Sequence, residues 1–393
     1  MVLNTYFFHL GREHDLALAE LAAILPANVM PDRVVGSYLF VTSPDELPLS
    51  TLQDRLGGTI SCGRILTHLP LTTSEETLIE ALTGILRHEA GRNFALSGNG
   101  KPLYDYARIG VQLKRILKNE DISRRFVAAK QGEISSVVLH DQLTPPKGTH
   151  LLILHANNDL WIGQTDAVQN WKHWSDRDFG RPSRDARRGM LPPKLARIMV
   201  NLSNAPMTGT ILDPFSGVGT VLMEAALIGY RNLIGSDRDS QALDATRLNW
   251  TWLRQHEGIA VYPQLLTASV EDLARHLSSK VSTVVSEADL GPANLQKRTP
   301  TARIAAMEEL RKHYELWLEK IESLVERGGV VVLAYPELRL PSYNLDLETT
   351  AKRRGWELIL PPADWQTFIT QPLRYARPDQ LIGRRFLIAR PKK

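Results

Sequence analysis

The sequence of 393 residues contains a single cysteine, Cys62, and few aromatic residues, which make up 7% of the chain. One cysteine excludes an internal disulfide and a cysteine-ligated zinc site. No apolar run reaches the roughly 20 residues that a transmembrane helix requires. The first ten residues lack the basic start of a secretory signal. We therefore expect a cytoplasmic protein without a membrane partner, and we identify no metal ligands.

The remaining composition is that of an ordinary globular protein. Hydrophobic residues make up 43% and charged residues 23% of the chain, and the net charge is +4. This mildly basic balance permits nucleic-acid binding without requiring it. The chain is too long for one typical hydrophobic core, so two or three domains are expected.

Residues 210–237 have the pattern of a nucleoside-binding unit. They read T-I-L-D-P-F-S-G-V-G-T-V-L-M-E-A-A-L-I-G-Y-R-N-L-I-G-S-D. A short predicted strand ends at Asp213, a glycine-bearing turn covers 216–219, a helix begins near Thr220, and a second strand ends at Asp237. Ligands of open α/β sheets bind outside the carboxyl ends of the strands. An acid about 20 residues after the turn is placed to accept hydrogen bonds from a ribose.

The acid before the glycines indicates the charge of the ligand. Asp213 would repel a pyrophosphate, and Leu222 stands where a dinucleotide fingerprint has a third small residue. These two residues disfavour a dehydrogenase. A cationic or zwitterionic ligand such as S-adenosylmethionine suits the site, because the carboxylate attracts its amino and sulfonium groups. The alternative is an ordinary βαβ unit with a glycine turn.

The segment D-P-F-S-G-V-G-T, residues 213–220, followed by E-A-A at 224–226, resembles the first motif of S-adenosylmethionine-dependent RNA methyltransferases. Together with Arg177, Arg181 and the segment G-M-L-P-P-K-L-A at 189–196, it resembles the THUMP-containing tRNA guanosine methyltransferases. Weaker similarity covers the N-terminal half and the end of the chain. The resemblance implies methyl transfer to the exocyclic N2 amine of a guanosine in tRNA, as in the tRNA guanosine-10 group.

The element pattern and this resemblance together divide the α/β chain into four parts. Residues 1–60 are predicted to form an N-terminal α+β ferredoxin-like unit, and residues 61–166 a THUMP RNA-binding domain that in the family holds the 3′ end of tRNA. Residues 167–190 are interpreted as a linker, and residues 191–393 as a Rossmann-like class I methyltransferase domain. Within the THUMP part, residues 135–139 are predicted to be a strand.

Two groups of basic residues fit an RNA partner. The first group is Lys114, Arg115, Lys118, Arg124, Arg125 and Lys130. Such residues supply sequence-independent affinity for phosphates, although a solvated helix face has the same pattern. The second group, in the linker, is Arg177, Arg181, Arg184, Arg187 and Arg188, with Trp171 and Trp174 nearby. It either grips RNA or bonds neighbouring domains together. The oligomeric state stays open, a monomer included.

The resemblance also implies which residues bind the methyl donor. These residues are Asp213, Phe215, Ser216, Gly217, Gly219, Thr220, Asp237, Arg238, Ser269 and Val270. Family members have an acid at about Ser269 that recognises the adenine amino group. In this chain, Glu271 or the backbone amide of Val270 are the alternatives for that contact.

The segment E-A-D-L-G-P at 287–292 is the largest departure from the family. Amine-methylating members have Asp or Asn, two prolines and an aromatic here. The acid and a backbone carbonyl orient the target amine, and the aromatic stacks on the base. We assign Glu287 and Asp289 as catalytic candidates, with Glu287 orienting the amine. Ala288 and Asp289 replace the proline and aromatic positions, which removes a stacking contact worth roughly 1–3 kcal/mol. A non-catalytic RNA-binding protein and a ribosomal RNA methyltransferase therefore remain alternatives.

Overall fold

The computed structural model describes residues 3–89, 91–100, 103–129, 134–184, 190–377 and 380–392. Lys130, Arg187, Arg188 and Gly189, which the sequence analysis singled out, lie outside these ranges. The described chain forms two compact units. The first comprises residues up to 14 and 25–173, and the second comprises 15–24 and the residues from 174 onward. No helix in the described ranges is both long and apolar enough to span a bilayer.

The first unit contains an eight-stranded sheet with short helices between its strands. Its strands are β1 (Asn4–Leu10), β2 (Met30–Val35), β3 (Tyr38–Ser43), β4 (Thr59–Pro70), β5 (Asn93–Gly98), β6 (Arg125–Phe126), β7 (Gly148–Ala156) and β8 (Asp159–Val168). The first helices of the chain are α1 (His14–Ile24), α2 (Leu49–Arg55), α3 (Glu75–His88), α4 (Tyr106–Asn119), α5 (Ser136–Val138) and α6 (Trp171–Ser175), of which residues 15–24 of α1 and the end of α6 belong to the second unit.

The eight strands of the described first unit are ordered β2-β3-β1-β4-β8-β7-β5-β6. β4 pairs with β1 on one side and with β8 on the other, both antiparallel. This sheet therefore runs through the boundary predicted between residues 60 and 61. The names ferredoxin-like unit and THUMP domain remain predictions.

Helix α4 carries three residues of the first basic group on its solvent face. Leu113 and Leu117 are buried in the core of this unit, whereas Lys114, Arg115 and Lys118 are exposed. Arg124 and Arg125 differ in their exposure to solvent. Arg125 is exposed, but Arg124 is buried and donates to Thr149 Oγ1 over 3.3 Å.

The strand predicted at residues 135–139 is wrong. This segment is helical, with α5 followed by a single wide helical turn at Leu139–Leu143. Ser135 caps the helix, since its hydroxyl accepts a hydrogen bond from Val138 N at 3.4 Å. Val137 and Val138 favour a strand by composition, whereas the capping serine favours the start of a helix.

The second unit is a sheet with helices around it. Its strands are β9 (Thr210–Asp213), β10 (Asn232–Asp237), β11 (Gln264–Thr267), β12 (Val281–Glu287), β13 (Val325–Arg339), β14 (Ser342–Asn344), β15 (Glu357–Leu358), β16 (Arg374–Tyr375) and β17 (Ile382–Arg390). Its further helices are α7 (Pro193–Leu202), α8 (Thr220–Ile228), α9 (Ser240–Glu257), α10 (Pro300–Leu324), α11 (Leu347–Arg353) and α12 (Ala363–Gln366).

The main path of this sheet is β11-β10-β9-β12-β13-β17-β15. The strands from β11 to β13 are parallel, whereas β17 is antiparallel to β13 and β15 is antiparallel to β17. The prediction of an α/β domain is confirmed, and its central strands are parallel. The strand order reverses between β9 and β12, which is where open α/β sheets bind ligands.

From Trp174 onward, the segment interpreted as a linker packs into the second unit. Arg177 Nε lies 2.8 Å from Glu224 Oε1 in α8, and Arg197 Nε lies 2.8 Å from Glu224 Oε2. The indole of Trp174 faces the guanidinium carbons of Arg177 at 4.2 Å and Arg197 at 5.3 Å. Arg181 is buried and donates to Thr220 Oγ1 over 2.7 Å. Arg177 and Arg181 therefore hold α8 in place instead of presenting charge to RNA.

Candidate active site

A cavity of about 860 Å³ lies at the carboxyl ends of β9, β10 and β12 in the second unit. It is lined by eleven of the twelve residues that the sequence analysis selected: Asp213, Phe215, Ser216, Gly217, Thr220, Asp237, Arg238, Ser269, Val270, Glu287 and Asp289. The twelfth, Gly219, does not line it. Sequence reasoning therefore collected residues from four separate segments that the fold brings to one place.

The turn between β9 and α8 depends on its glycines for different reasons. Gly217 and Gly219 have φ values of +51° and +84°, a region that L side chains rarely adopt. A Cβ on Gly219 would lie 2.7 Å from Thr246 Cγ2, so this glycine allows α9 to approach closely. The Gly217 N–H points to Asp237 and donates to its Oδ2 over 3.0 Å. Gly217 therefore lines the cavity, whereas Gly219 shapes the turn, and the ligand contacts of both glycines stay predictions.

Asn249 in α9 holds the turn between β9 and α8 by hydrogen bonds. Its side-chain amide donates to the carbonyl oxygens of Val218 and Ser183, each over 3.0 Å, and its Oδ1 accepts from Ser183 N at 2.9 Å. Ser183 and Arg184 line the same cavity. Asn249 therefore joins the cofactor turn to the segment that precedes α7.

Asp213 is the most deeply buried acid of the cavity lining. It is 2% exposed, and its Oδ1 accepts hydrogen bonds from Ser286 Oγ at 2.5 Å and from Phe215 N at 3.2 Å. Burial raises the pKa of Asp213 to about 7, against these two hydrogen bonds, which favour the charged form. Nearby Asp237 and Glu287 add to the rise by repulsion. A cation entering the cavity would reverse this balance.

Ser216 lines the cavity, but its side-chain hydroxyl is buried. Its Oγ has no hydrogen-bond partner in the described structure. A buried polar atom without a partner costs about 1–3 kcal/mol. The cofactor contact of Ser216 stays a prediction.

Beyond β11, the wall expected to recognise adenine has no acid at Ser269. Ser269 and Val270 line the cavity, and so does Glu271. Glu271 Oε1 accepts a hydrogen bond from Trp317 Nε1 at 3.0 Å, and the Trp317 ring lies 4.8 Å from that of Phe215. Trp317 was not selected from the sequence, because it lies in α10, where its spacing marks it only as a core residue.

At the tip of β12, Glu287 forms a two-pronged ion pair with Arg384 of β17. Arg384 Nε bonds Glu287 Oε1, and Arg384 Nη2 lies 3.3 Å from Oε2. The side chain of Arg384 is only 6% exposed and that of Glu287 only 10%. Burial raises the pKa of Glu287, and Arg384 opposes this rise. The sequence analysis missed this partner.

Asp289 is exposed, in contrast to the buried Ala288 beside it. Its Oδ1 accepts a hydrogen bond from Gly291 N at 2.9 Å, and its main-chain oxygen accepts one from Tyr314 Oη at 2.9 Å. Its carboxylate therefore closes the loop on itself at the cavity edge.

Residues 181–356 match the model of the family UPF0020, described as RMKL-like, methyltransferase domain. The match includes the glycine turn, the strand-tip acids and the cavity wall up to α10. The fold and the site thus define a methyltransferase domain of the class that uses S-adenosylmethionine.

Among curated proteins, the chain is 34% identical over 166 residues to the tRNA (guanine(10)-N2)-dimethyltransferase of Methanothermobacter thermautotrophicus, covering 42% of this chain and 43% of that one. It is 32% identical over 156 residues to the "Probable tRNA (guanine(10)-N2)-dimethyltransferase" of Methanothermococcus thermolithotrophicus, covering 39% of this chain and 85% of that one. The chain belongs to this family. It spans about half the length of three of these relatives, 43% of the first and 50% and 51% of two more.

Among solved structures, the fold is similar to that of TrmN from Thermus thermophilus. The TM-score is 0.55 at 16% identity, and the alignment covers 99% of this chain and 100% of that one. At this identity the likeness concerns the fold alone.

The raised pKa of Asp213 predicts a measurable effect of pH on stability. The folded protein holds this proton more tightly than the unfolded chain, so the contribution of Asp213 to the free energy of unfolding falls as pH rises from about 4 to 7. Between pH 5 and 7 this contribution falls by about 2 kcal/mol. The buried His9 and His150, whose pKa values are lowered, act in the opposite direction, so the effect is measured against Asp213→Asn. In urea unfolding of the ligand-free protein at both pH values, wild type and the exposed control Asp272→Asn should each show this loss relative to Asp213→Asn. An equal pH dependence in Asp213→Asn would contradict this assignment.

Proposed function

We propose that this protein transfers a methyl group from S-adenosylmethionine to the exocyclic N2 amine of a guanosine in tRNA. The observation that carries the proposal is the meeting of Asp213, Asp237 and Glu287 around one cavity, at the point where the sheet order reverses. Family membership supports the reaction, and the three acids at the strand tips support this cavity as its site.

The methyl donor would be held by the cavity wall between β9 and β11. Asp237 suits the ribose hydroxyls, because each carboxylate oxygen accepts one main-chain amide, Gly217 N at Oδ2 and Asp239 N at Oδ1, and keeps a second lone pair. Ser216 lines this wall at the glycine turn, and Asp213 offers negative charge to the cationic end of the donor. When bound, S-adenosylmethionine supplies an electrophilic methyl group on its sulfonium.

Glu287 is the residue that would orient the target amine. Direct displacement needs alignment of the reacting atoms more than a strong base. A carboxylate has about four lone-pair sites, so the pair with Arg384 leaves acceptor capacity for an amine N–H. The positive charge of Arg384 favours the ionised form that accepts hydrogen bonds. Asp289 contributes its main chain to the same loop.

The tRNA would contact the exposed basic face of α4 in the first unit. Lys114, Arg115, Lys118 and the nearby Arg125 are exposed and can each neutralise a phosphate. We assign this unit the role of the ferredoxin-like part and the THUMP domain. A tRNA substrate also agrees with the expected cytoplasmic location.

The activity is tested by transfer of tritiated methyl from S-adenosylmethionine to tRNA that lacks modifications, followed by digestion to nucleosides. We expect label in N2-methylated guanosine. Glu287→Ala should lower the rate by about a hundredfold, since a misplaced amine loses alignment. The exposed control Glu326→Ala should keep the wild-type rate.

Two results would contradict this proposal. Labelling of ribosomal RNA but not of tRNA would show that the protein is a ribosomal RNA methyltransferase. Normal binding of S-adenosylhomocysteine and tRNA without any methyl transfer would favour the non-catalytic RNA-binding protein.

Glu271 is the residue that we expect to recognise adenine in place of an acid at position 269. The wild-type protein should bind S-adenosylhomocysteine more tightly than its inosine analogue by roughly tenfold or more, because the analogue lacks the 6-amino donor. Calorimetry should show that Glu271→Ala loses most of this preference, whereas the neighbouring Asp272→Ala keeps it. Discrimination by Glu271→Ala equal to that of wild type would show that the amide of Val270 or another group reads the base.

A further inference from the structure

The loop after β12, residues 287–291, lacks the prolines that its family position usually carries, yet several side-chain contacts restrain it. Glu287 is paired with Arg384 at the start of the loop. Asp289 Oδ1 accepts the Gly291 amide at 2.9 Å near its end. Between these two points, Tyr314 Oη donates to the main-chain oxygen of Asp289 over 2.9 Å.

Tyr314 is a fixed point for this loop. It is fully buried in α10, with its ring 5.0 Å from that of Trp317 and 6.4 Å from that of Tyr335. A ring packed in this way cannot move without disturbing the core of the second unit, so its hydroxyl has a set position. The hydrogen bond from that hydroxyl therefore orients the main-chain carbonyl of Asp289.

The restraint matters because this loop has to hold its carbonyl groups in a set direction. Proline fixes φ near −65°, and a loop of Glu, Ala and Asp without it has more conformations to choose from. Ala288 is buried between the two anchored residues, and it has no polar side chain to hold the backbone. The direction of the carbonyl groups from 287 to 289 therefore depends on the contacts at both ends.

We propose that Tyr314 is a positioning residue for methyl transfer: its hydroxyl holds the loop 287–291 so that the Glu287 carboxylate and the adjoining main-chain carbonyl face the target amine. This inference rests on the proposed function. Tyr314 itself contacts neither substrate nor donor in this account. It acts through the Asp289 carbonyl and takes over the stiffening that prolines provide elsewhere in the family.

The chain offers a matched control in Tyr335. Tyr335 is equally buried in the same aromatic cluster, and its hydroxyl also bonds a single acceptor. That acceptor is Glu348 of α11, away from the loop. Tyr314→Phe and Tyr335→Phe each remove one buried hydroxyl, but only the first removes a loop contact.

Three quantities should be compared for the two variants: kcat for tRNA methylation, the dissociation constant of S-adenosylhomocysteine, and hydrogen exchange of the amides at 288–291. Tyr314→Phe should lower kcat by about 10- to 100-fold, because a displacement of 1 Å can cost about a hundredfold. Its loop amides should exchange faster, and its affinity for S-adenosylhomocysteine should stay within about twofold of wild type, a change below 0.5 kcal/mol. Tyr335→Phe should leave kcat and loop exchange at wild-type values.

A kcat and a loop exchange rate of Tyr314→Phe no different from those of Tyr335→Phe would overturn the inference. An equal loss of S-adenosylhomocysteine affinity and of kcat in Tyr314→Phe would also overturn it, because the hydroxyl would then support the whole site. If the wild-type protein methylates no RNA, the proposed function fails, and hydrogen exchange still decides whether Tyr314 restrains the loop.

Discussion

The hydrogen bond from Ser286 to Asp213 is the contact on which the site depends. It joins the tips of β9 and β12, the two strands between which the sheet order reverses, at 2.5 Å. A carboxylate this deeply buried is costly unless it is hydrogen-bonded or protonated. Ser286 and the Phe215 amide provide the bonds, and a cationic ligand would favour its charge. The fold therefore has an acid at the crevice whose charged form a ligand of positive charge would stabilise.

The two sides of the cavity are built by different means. On the donor side, glycine conformations, the Gly217–Asp237 hydrogen bond and Asn249 fix the main chain. On the acceptor side, the family's proline-containing motif is replaced by E-A-D-L-G, and distant side chains hold the loop. This division explains how the chain retains its family's donor-binding pattern while its target-binding loop diverges.

Local rules were sufficient for the donor side of the site. Strand tips, turn glycines and the helix from Thr220 to the left-handed Gly229 follow from short-range pattern, and the structure places them as expected. The Glu287–Arg384 pair could not be predicted in this way, because its partners are 97 residues apart. The contact of the Tyr314 hydroxyl with Asp289 could not be predicted either, because a tyrosine at helical spacing indicates only a core position. Gly219 was selected as a ligand contact, but the close approach of α9 is a tertiary feature that its sequence motif does not reveal.

We propose that the methyl donor lies between the tips of β9 and β12. Ultraviolet crosslinking of methyl-tritiated S-adenosylmethionine to the protein, followed by peptide mapping, tests this placement most directly. We expect label in the peptides that carry residues 213–219, 269–271 or 287–290, and loss of that label when S-adenosylhomocysteine is in excess. Label confined to peptides that do not line this cavity, with the same competition, would contradict it.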